Sequence, residues 1–283
     1  MPSGSPTGID EVRPLEREEF EQIRRLAYET FGLDLRDGKQ DLVTARLRRL
    51  VLSRGCHSYQ EYYQRILADP TQTELSAMID ALATNHTSFL REAEHFRYLR
   101  ETVVPQLAGR GRVDVWSAAC ATGEEVWSLV FLLDEAMPGR MVRVTGTDIS
   151  NRALAQARLA RYPAERVSGL PREWRERYLE REKGDPQDWY RVAGPYRVRA
   201  EFARLNLMDR FTWPRPFPIV FCRNVMIYFD KPTQERVVAK LAAAVEPGGY
   251  LFVGHAESLT GLRHRLEYQR PAVYRKPVER RRK

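Results

Sequence analysis

The stretch that decides the fold covers residues 113–126 and reads Val-Asp-Val-Trp-Ser-Ala-Ala-Cys-Ala-Thr-Gly-Glu-Glu-Val. Its first four residues predict a short strand, residues 117–123 predict a turn of small residues, and an apolar helix is expected from Glu124. Small residues let the backbone approach a ligand closely, and the first N–H groups of a helix are free to bind one. The stretch is therefore typical of a ligand-binding edge in an α/β sheet.

The chain after this stretch keeps alternating between strand and helix patterns. Further strands are predicted at 142–147, 219–222 and 250–253, with helices at 124–136, 152–160 and 232–245. This alternation indicates an α/β fold, a parallel sheet with helices on both faces. Residues 264–269 and 272–276, split by Pro271, are expected to close the sheet edge.

Two regions depart from the alternation. Residues 189–202 alternate in polarity around Gly194 and Pro195, which predicts a small antiparallel hairpin, a β-subdomain inserted at about 185–203. The first hundred residues show only helical spacing, for example Phe20, Ile23 and Phe31 on one face.

Two capping boxes mark helix starts in that helical part, Ser58 with Glu61 and Thr71 with Glu74. We expect a helical domain at 13–92, a second domain at 93–277, and tails at 1–12 and 278–283.

Composition limits the classes of protein that the chain can belong to. Hydrophobic residues make up 43% and charged residues 30% of its 283 residues, and no apolar run approaches the ~18 residues of a membrane helix. Residues 1–10 lack an apolar core and predict a loose tail rather than a signal peptide. Cys56, Cys120 and Cys222 show no metal-ligand spacing, so we expect buried, reduced thiols and a cytoplasmic protein. The net charge of +8 favours an acidic partner without saying whether it is a protein, a nucleic acid or a membrane.

The turn after the first strand has two candidate ligands. Asp148 ends the second strand 25 positions after Gly123, near the spacing at which a carboxylate binds a ribose diol. A dinucleotide would need a glycine-rich pyrophosphate cradle, whereas this turn has one glycine and the carboxylates of Glu124 and Glu125. An acidic turn suits a cation such as the ammonium or sulfonium of S-adenosylmethionine. A structural turn with a solvated pair of glutamates is the alternative.

Polar residues also follow the later strands. Arg223 and Asn224 come directly after the strand at 219–222, where open α/β sheets bind ligands, and Tyr228 lies four residues further on. Asn206 and Leu207 mark another such step upstream. The alternative is that Tyr228 is a core aromatic residue.

The segment Asn-His-Thr-Ser-Phe-Leu-Arg at 85–91 resembles a lid over a ligand. Arg91 is suited to holding a carboxylate with two hydrogen bonds. The alternative is a helix connection capped by Thr87 or Ser88. His86, His95 and His255 show no ligand-like spacing, so no metal site is predicted.

Taken together, these segments resemble the CheR family, the chemotaxis receptor methyltransferases. The resemblance covers most of the chain and rests on residues 85–91 with Glu94-His95-Phe96, 115–125, 147–149, 206–207, 222–230 and 254–258. It implies an N-terminal helical domain, a Rossmann-like S-adenosylmethionine domain and a small inserted antiparallel β-subdomain. It also implies the activity: methylation of glutamate carboxylates on chemotaxis receptors, with S-adenosylhomocysteine as the second product.

The resemblance implies roles for single residues. The expected cofactor-binding residues are Asn85, Thr87, Arg91, Glu125, Asp148, Asn206, Leu207, Arg223 and Asn224. Arg91 and Tyr228 are expected at the reacting methyl group, with Arg91 orienting a carboxylate and Tyr228 facing the sulfonium. The basic second helix, with Arg46, Arg48 and Arg49, is expected to face the cytoplasmic helices of the receptor. Residues 185–201 match the family least, which leaves open whether the β-subdomain binds a receptor peptide.

Two other functions remain as alternatives. The basic charge allows a nucleic-acid methyltransferase, although no nucleic acid is expected because no base-flipping pocket or general base is visible in the sequence. A non-catalytic adapter of the same fold would have lost cofactor binding, which the presence of Asp148, Arg223 and Asn224 disfavours.

Overall fold

The structure is a computed structural model that describes residues 12–182 and 188–278. The chain divides into two compact units, residues 1–84 and 85–283, and each is described by itself. The predicted tails at 1–12 and 278–283 lie outside the described residues except for their innermost positions, as do residues 185–187 of the predicted β-subdomain. Within the part described, no helix combines the length and apolar character needed to cross a membrane.

The first unit is helical, as expected. From residue 12 onward it contains α1 (Arg17–Phe31), α2 (Gln40–Ser53), α3 (Tyr59–Ala68) and α4 (Thr73–Leu82). Their apolar faces form the core of this unit, because residues three and four positions apart share one side of a helix. Phe20, Ile23 and Leu47 are buried in that core. The Ser58 hydroxyl caps α3 by accepting the Glu61 N–H at 3.1 Å.

The second predicted capping box is wrong. Helix α4 begins after Gln72, which has a φ of 57° and no capping side chain, and the Glu74 N–H donates to the Asp69 carboxylate at 2.8 Å. The Glu74 carboxylate, expected at the helix start, instead accepts from the Arg54 guanidinium at 2.9 Å. Because this ion pair joins α2 to α4, a contact between helices overrides the local pattern.

The second unit alternates helices and strands. A continuous helix opens it, α5 (Ala93–Tyr98) running through one π turn (Leu99–Val103) into α6 (Val104–Gln106). The following elements are β1 (Arg112–Ala118), α7 (Glu124–Ala136), β2 (Met141–Asp148), α8 (Asn151–Leu159), β3 (Arg161–Pro163), α9 (Ala164–Val167), α10 (Arg172–Tyr178), β4 (Leu179–Glu182), β5 (Trp189–Val192), α11 (Gly194–Arg197), β6 (Ala200–Arg204), β7 (Phe217–Cys222), α12 (Lys231–Ala244), β8 (Val245–Val253), β9 (Glu267–Arg270) and β10 (Val273–Arg275).

Seven of these strands form one mixed sheet in the order β6-β2-β1-β7-β8-β10-β9. The first five are parallel, while β10 and β9 add an antiparallel edge. From β1 the chain fills one side with β2 and β6, and then returns to the other side with β7. The strand order therefore reverses between β1 and β7, and ligands of open α/β sheets bind at such a switch point.

Both faces of this sheet are covered. Along β7, Ile219 and Phe221 pack into one apolar cluster, and the alternate residues Val220 and Cys222 pack into the other. Parallel strands with helices on both faces are expected to be apolar on both sides. The three cysteines are buried and unpaired, as predicted.

A separate three-stranded antiparallel sheet, β3-β5-β4, confirms the small β-subdomain. The predicted hairpin at 189–202 is nevertheless wrong. Gly194 and Pro195 begin the short helix α11, where a proline at the first turn is well tolerated, instead of forming a hairpin turn. The second half of the stretch leaves the small sheet and pairs with β2 as the parallel strand β6. Gly146 of β2 makes room for Phe202 there, since an added Cβ would lie 2.8 Å from its ring.

Candidate functional site

The loop between β1 and α7 folds tightly at the switch point. Ala119, Ala121 and Gly123 all have positive φ angles, of 64°, 48° and 95°. Gly123 also lies so close to α8 that an added Cβ would be 2.9 Å from the Cβ of Ala157. Gly123 therefore has no room for a side chain, which agrees with the tight turn predicted here.

Asp148, at the end of β2, holds this loop in place. Its buried carboxylate accepts the N–H groups of Ala121 at 2.8 Å and Ser150 at 2.9 Å. Asn85 donates its side-chain N–H to the Ser150 hydroxyl at 3.3 Å. Asp148 and Asn85 are 63 positions apart in the sequence, and both form hydrogen bonds with Ser150.

Arg223, directly after β7, lies at the centre of what we call the Arg223 cluster: Arg223, Glu92, Glu125 and Asn224. Its guanidinium donates to Glu125 at 2.9 Å and to Glu92 at 2.9 Å, and a further hydrogen bond goes to the backbone carbonyl of Arg91. The side chain of Arg223 is 2% exposed. The Asn224 amide donates to Glu92 at 3.1 Å. The cluster therefore ties the segment at 85–92 to the start of α7 and the end of β7.

The two carboxylates of the cluster differ in their electrostatics. Burial opposes ionisation of Glu92, but the hydrogen bonds and charge of Arg223 prevail and hold its pKa at about 2. Burial raises the pKa of Glu125 above its ordinary value, although Arg223 and the Ser117 hydroxyl stabilise the ionised form. The charged state of Glu125 therefore depends on its few polar partners.

The structure distinguishes the two adjacent glutamates of the loop. Glu125 faces Arg223 and Ser117 at the sheet edge. Glu124 is fully buried and pairs instead with Arg166 and the Thr122 hydroxyl. Of the two, Glu125 belongs to the Arg223 cluster.

Glu257 organises the loop after β7. Its carboxylate accepts backbone N–H groups from Asn224 at 2.8 Å, Met226 at 2.6 Å, Ile227 at 3.2 Å and Gly254 at 2.6 Å. Burial raises the pKa of this carboxyl, and the four N–H donors oppose that shift. Asn224 has a φ of 59°, a left-handed conformation that these hydrogen bonds maintain. Sequence reasoning gave Glu257 and Glu92 no role, although Glu257 lies in a motif of the resemblance and Glu92 directly follows one.

The remaining predicted residues lie on segments around this edge. Arg91 is half-buried and donates to the carbonyl of His86 at 2.6 Å, and Thr87 is half-buried in the same segment. Asn206 and Leu207 follow β6 just after Leu205, whose N–H donates to the Asp148 carbonyl at 3.0 Å.

Tyr228 ends a short 3₁₀ turn after β7 (Met226–Tyr228). It is partly buried and packs against the apolar cluster on the α12 side of the sheet. No hydrogen bond, ring contact or cation–π contact in the described part of the chain joins Tyr228 to Arg91 or to the Arg223 cluster. Its place beside a reacting group therefore stays a prediction.

One premise about the histidines is wrong. His95 and His255, which show no pairing in the sequence, lie with their ring centroids 4.6 Å apart. Glu92 adds a carboxylate oxygen 3.4 Å from His95. Spacing along the chain gave no signal for His255, because it follows β8, 160 positions after His95 on α5.

The chemistry of this edge fits S-adenosylmethionine. Asp148 and Glu125 offer anions to a ribose diol and to a cationic ligand, and Arg91 offers a guanidinium to a carboxylate. The loop after β1 has a single glycine, so it lacks the repeated glycines that cradle a pyrophosphate. The residue types present therefore favour this ligand over a dinucleotide.

Two family models match the chain. The all-alpha domain of the CheR methyltransferases matches residues 18–83, and their S-adenosylmethionine-binding domain matches residues 85–274. The two matched ranges meet where the structure divides into its two units.

Curated relatives match over nearly the whole chain. A chemotaxis protein methyltransferase of Borreliella burgdorferi is 32% identical over 92% of this chain and 94% of its own length. One from Klebsiella aerogenes is 36% identical over 92% of this chain and 90% of its own. Chemotaxis protein methyltransferase 2 of Pseudomonas aeruginosa is 33% identical over 97% of this chain and 99% of its own length. These matches confirm the expected family, enzyme class and cofactor: the chain belongs to the CheR family of S-adenosylmethionine-dependent methyltransferases.

Proposed function

We propose that this protein methylates glutamate side chains on the cytoplasmic helices of chemotaxis receptors, in adaptation to stimuli. A receptor carboxylate oxygen takes the methyl group, which leaves glutamate methyl ester and S-adenosylhomocysteine. The names of the curated relatives support the pathway, and the chemistry of one arginine supports the acceptor.

The observation that carries the proposal is the contrast between two neighbouring arginines. Arg223 is saturated by two carboxylates. Arg91 is half-buried beside it and donates to a carbonyl oxygen, and in the described part of the chain no carboxylate lies within 4 Å of its guanidinium. A guanidinium without an anionic partner at a sheet edge is suited to holding the carboxylate of a ligand or an acceptor.

This reaction requires little proton chemistry from the protein. S-adenosylmethionine supplies an electrophilic methyl group, and a glutamate with a pKa near ~4.3 is already ionised at neutral pH. A general base is therefore unnecessary, and the task of the protein is to position the carboxylate. We assign that role to Arg91 and place Tyr228 beside the sulfonium, where its hydroxyl or ring face meets the positive charge.

Cofactor binding is assigned to residues that surround the switch point. Asp148 is proposed to bind the ribose, and Glu125 rather than Glu124 is proposed near the ammonium, because Glu124 is already committed to Arg166. The full proposed set is Asn85, Thr87, Arg91, Glu125, Asp148, Asn206, Leu207, Arg223 and Asn224.

The receptor is proposed to contact α2. Arg48 and Arg49 are exposed there and make no ion pair within the described residues. Arg46 is more constrained, because its guanidinium donates to the Leu82 carbonyl and the Thr84 hydroxyl after α4. The exposed pair is therefore the better candidate for an acidic partner, and the proposed compartment is the cytoplasm.

The test is transfer of labelled methyl groups to receptor-containing membranes, followed by mild base. Carboxyl methyl esters hydrolyse and release volatile methanol, whereas methylated nucleic acid or amide retains its label. We expect Arg91→Ala to lose transfer while its unfolding curve stays unchanged. Arg100→Ala removes an exposed arginine that pairs with Glu135 and should keep full activity. Base-stable label, or full transfer by Arg91→Ala, would contradict the proposal.

A further inference from the structure

Three side chains with metal-binding atoms converge next to the Arg223 cluster. One carboxylate oxygen of Glu92 and one ring nitrogen each of His95 and His255 all lie within 4.8 Å of one another. Glu92 Oε2 is 3.4 Å from His95 Nδ1, and the two imidazole rings meet edge to face at 78°. His95 and His255 belong to none of the cofactor assignments above.

His95 is unusual because its ring is buried without a hydrogen bond. The residue is 1% exposed, and neither ring nitrogen finds a hydrogen-bond partner among the residues that the structure describes. Buried polar groups are nearly always paired, so two unsatisfied nitrogens on one buried ring indicate a missing ligand or a bound water.

Two of the three side chains, His95 and His255, border a cavity. The cavity has a volume of about 190 Å³ and is lined by Glu94, His95, His255, Arg270 and Pro271. His255 is exposed, so an ion has a path to the group and room for a water as a further ligand.

We propose that Glu92, His95 and His255 form a binding site for one Zn²⁺ ion. Two imidazoles and one carboxylate are a donor set that zinc prefers, and a water in the cavity completes four-coordination. Glu92 Oε2 also accepts from Arg223 at 2.9 Å, and that positive charge opposes the ion. We therefore expect zinc to bind more weakly here than at a closed structural site. We also expect the metal ion to compete with Arg223 for the Glu92 oxygen.

The test uses the full chain without a histidine tag. Zinc binding is titrated by calorimetry, and Co²⁺ replaces Zn²⁺ for absorption spectra, whose visible bands report histidine nitrogen in the coordination sphere. We expect one equivalent of metal. His255→Gln should weaken binding at least about tenfold and shift the cobalt bands. His57→Gln, which changes an exposed histidine of the first unit, should leave both unchanged.

The variants keep the proposal open to refutation. His95→Gln is the more severe change because that ring is buried, so its folding is checked by circular dichroism. His255→Gln alters an exposed side chain. If His95→Gln fails to fold, the zinc affinity of His255→Gln tests the proposal by itself. Absence of stoichiometric binding by the unaltered chain would show that these three side chains do not hold a metal. Equal affinity in His255→Gln would show that the metal binds elsewhere, and either result overturns the proposal.

Discussion

Arg223 Nη1 donates to Glu125 Oε2 at 2.9 Å, which joins the end of β7 to the start of α7 across the switch point of the sheet. The same guanidinium reaches Glu92 at 2.9 Å, so one buried cation balances two carboxylates from different segments. Removing one partner of a buried ion pair is strongly destabilising because the remaining charge stays buried.

Arg223→Met is therefore expected to lower the free energy of unfolding by about 3–5 kcal/mol. All five tryptophans lie in the second unit, so urea unfolding followed by tryptophan fluorescence reports on that unit alone. Arg112→Met removes an exposed arginine paired with Asp114 and should change stability by less than about 1 kcal/mol. An unaltered midpoint in Arg223→Met would show that the pairing adds nothing to stability.

The backbone hydrogen bonds to Glu257 predict a second stability effect. Glu257→Gln replaces one acceptor oxygen by an amide donor that faces N–H groups, so we expect a loss of about 1–3 kcal/mol. Amide exchange should accelerate at Asn224 and Met226, the residues that Glu257 holds. Glu267→Gln, at an exposed position of β9, serves as the control. Unchanged exchange at Asn224 would argue that the loop holds its shape without the carboxylate.

The sequence predicted the fold well where the signal was local. Helical spacing gave the first unit, and apolar strands such as Ile219–Cys222 within β7 gave the parallel sheet. The hairpin at 189–202 failed because β6 pairs with β2, and the space for Phe202 comes from Gly146, more than fifty positions away. Polarity alternation identifies a strand but leaves its partner undetermined.

The site was predictable where a polar residue follows a strand directly. Asp148 and Arg223 stand at strand ends, and parallel strands bring their carboxyl ends to one edge. Glu92 was missed because it lies 131 positions from Arg223 and precedes a helix. The His95–His255 contact likewise has no spacing signal, since one residue lies on α5 and the other follows β8.

Close packing at Gly254 predicts an effect on cofactor binding. An added Cβ would lie 2.6 Å from Asn224 Nδ2 and 2.8 Å from Glu257 Oε2, so Gly254→Ala must displace the amide at the site. If displacing the amide costs the bound state the about 1–3 kcal/mol typical of overpacking, the affinity for S-adenosylhomocysteine falls by roughly 5- to 150-fold. Gly111→Ala, where an added Cβ meets nothing within 4 Å, is the matched variant for calorimetry. Equal affinities would place Asn224 outside the binding site.

The raised pKa of Glu125 predicts a pH dependence of the same affinity. Since burial raises this pKa, the carboxyl takes up a proton at a pH where an ordinary glutamate is still ionised. If its charge attracts the ammonium of the ligand, affinity is complete above the raised pKa and falls as pH decreases through it. Glu125→Gln removes the titrating group. The variant should therefore bind S-adenosylhomocysteine more weakly at neutral pH, and its affinity should change less as the pH decreases. Parallel pH profiles for the two proteins would show that Glu125 does not face the ammonium.

Charge on α2 predicts how the receptor is engaged. Arg48 and Arg49 are exposed, and double reversal to glutamate should weaken an acidic partner through lost attraction and added repulsion. We expect the KM for receptor to rise roughly tenfold, equivalent to about 1.4 kcal/mol, with S-adenosylhomocysteine affinity unchanged. The difference should shrink as salt increases, because exposed charges are screened. Double reversal of Arg17 and Arg25, both exposed on α1, changes the net charge equally and should leave the KM nearly unaltered. If both double variants raise the KM alike, the receptor responds to net charge and α2 is not its docking face.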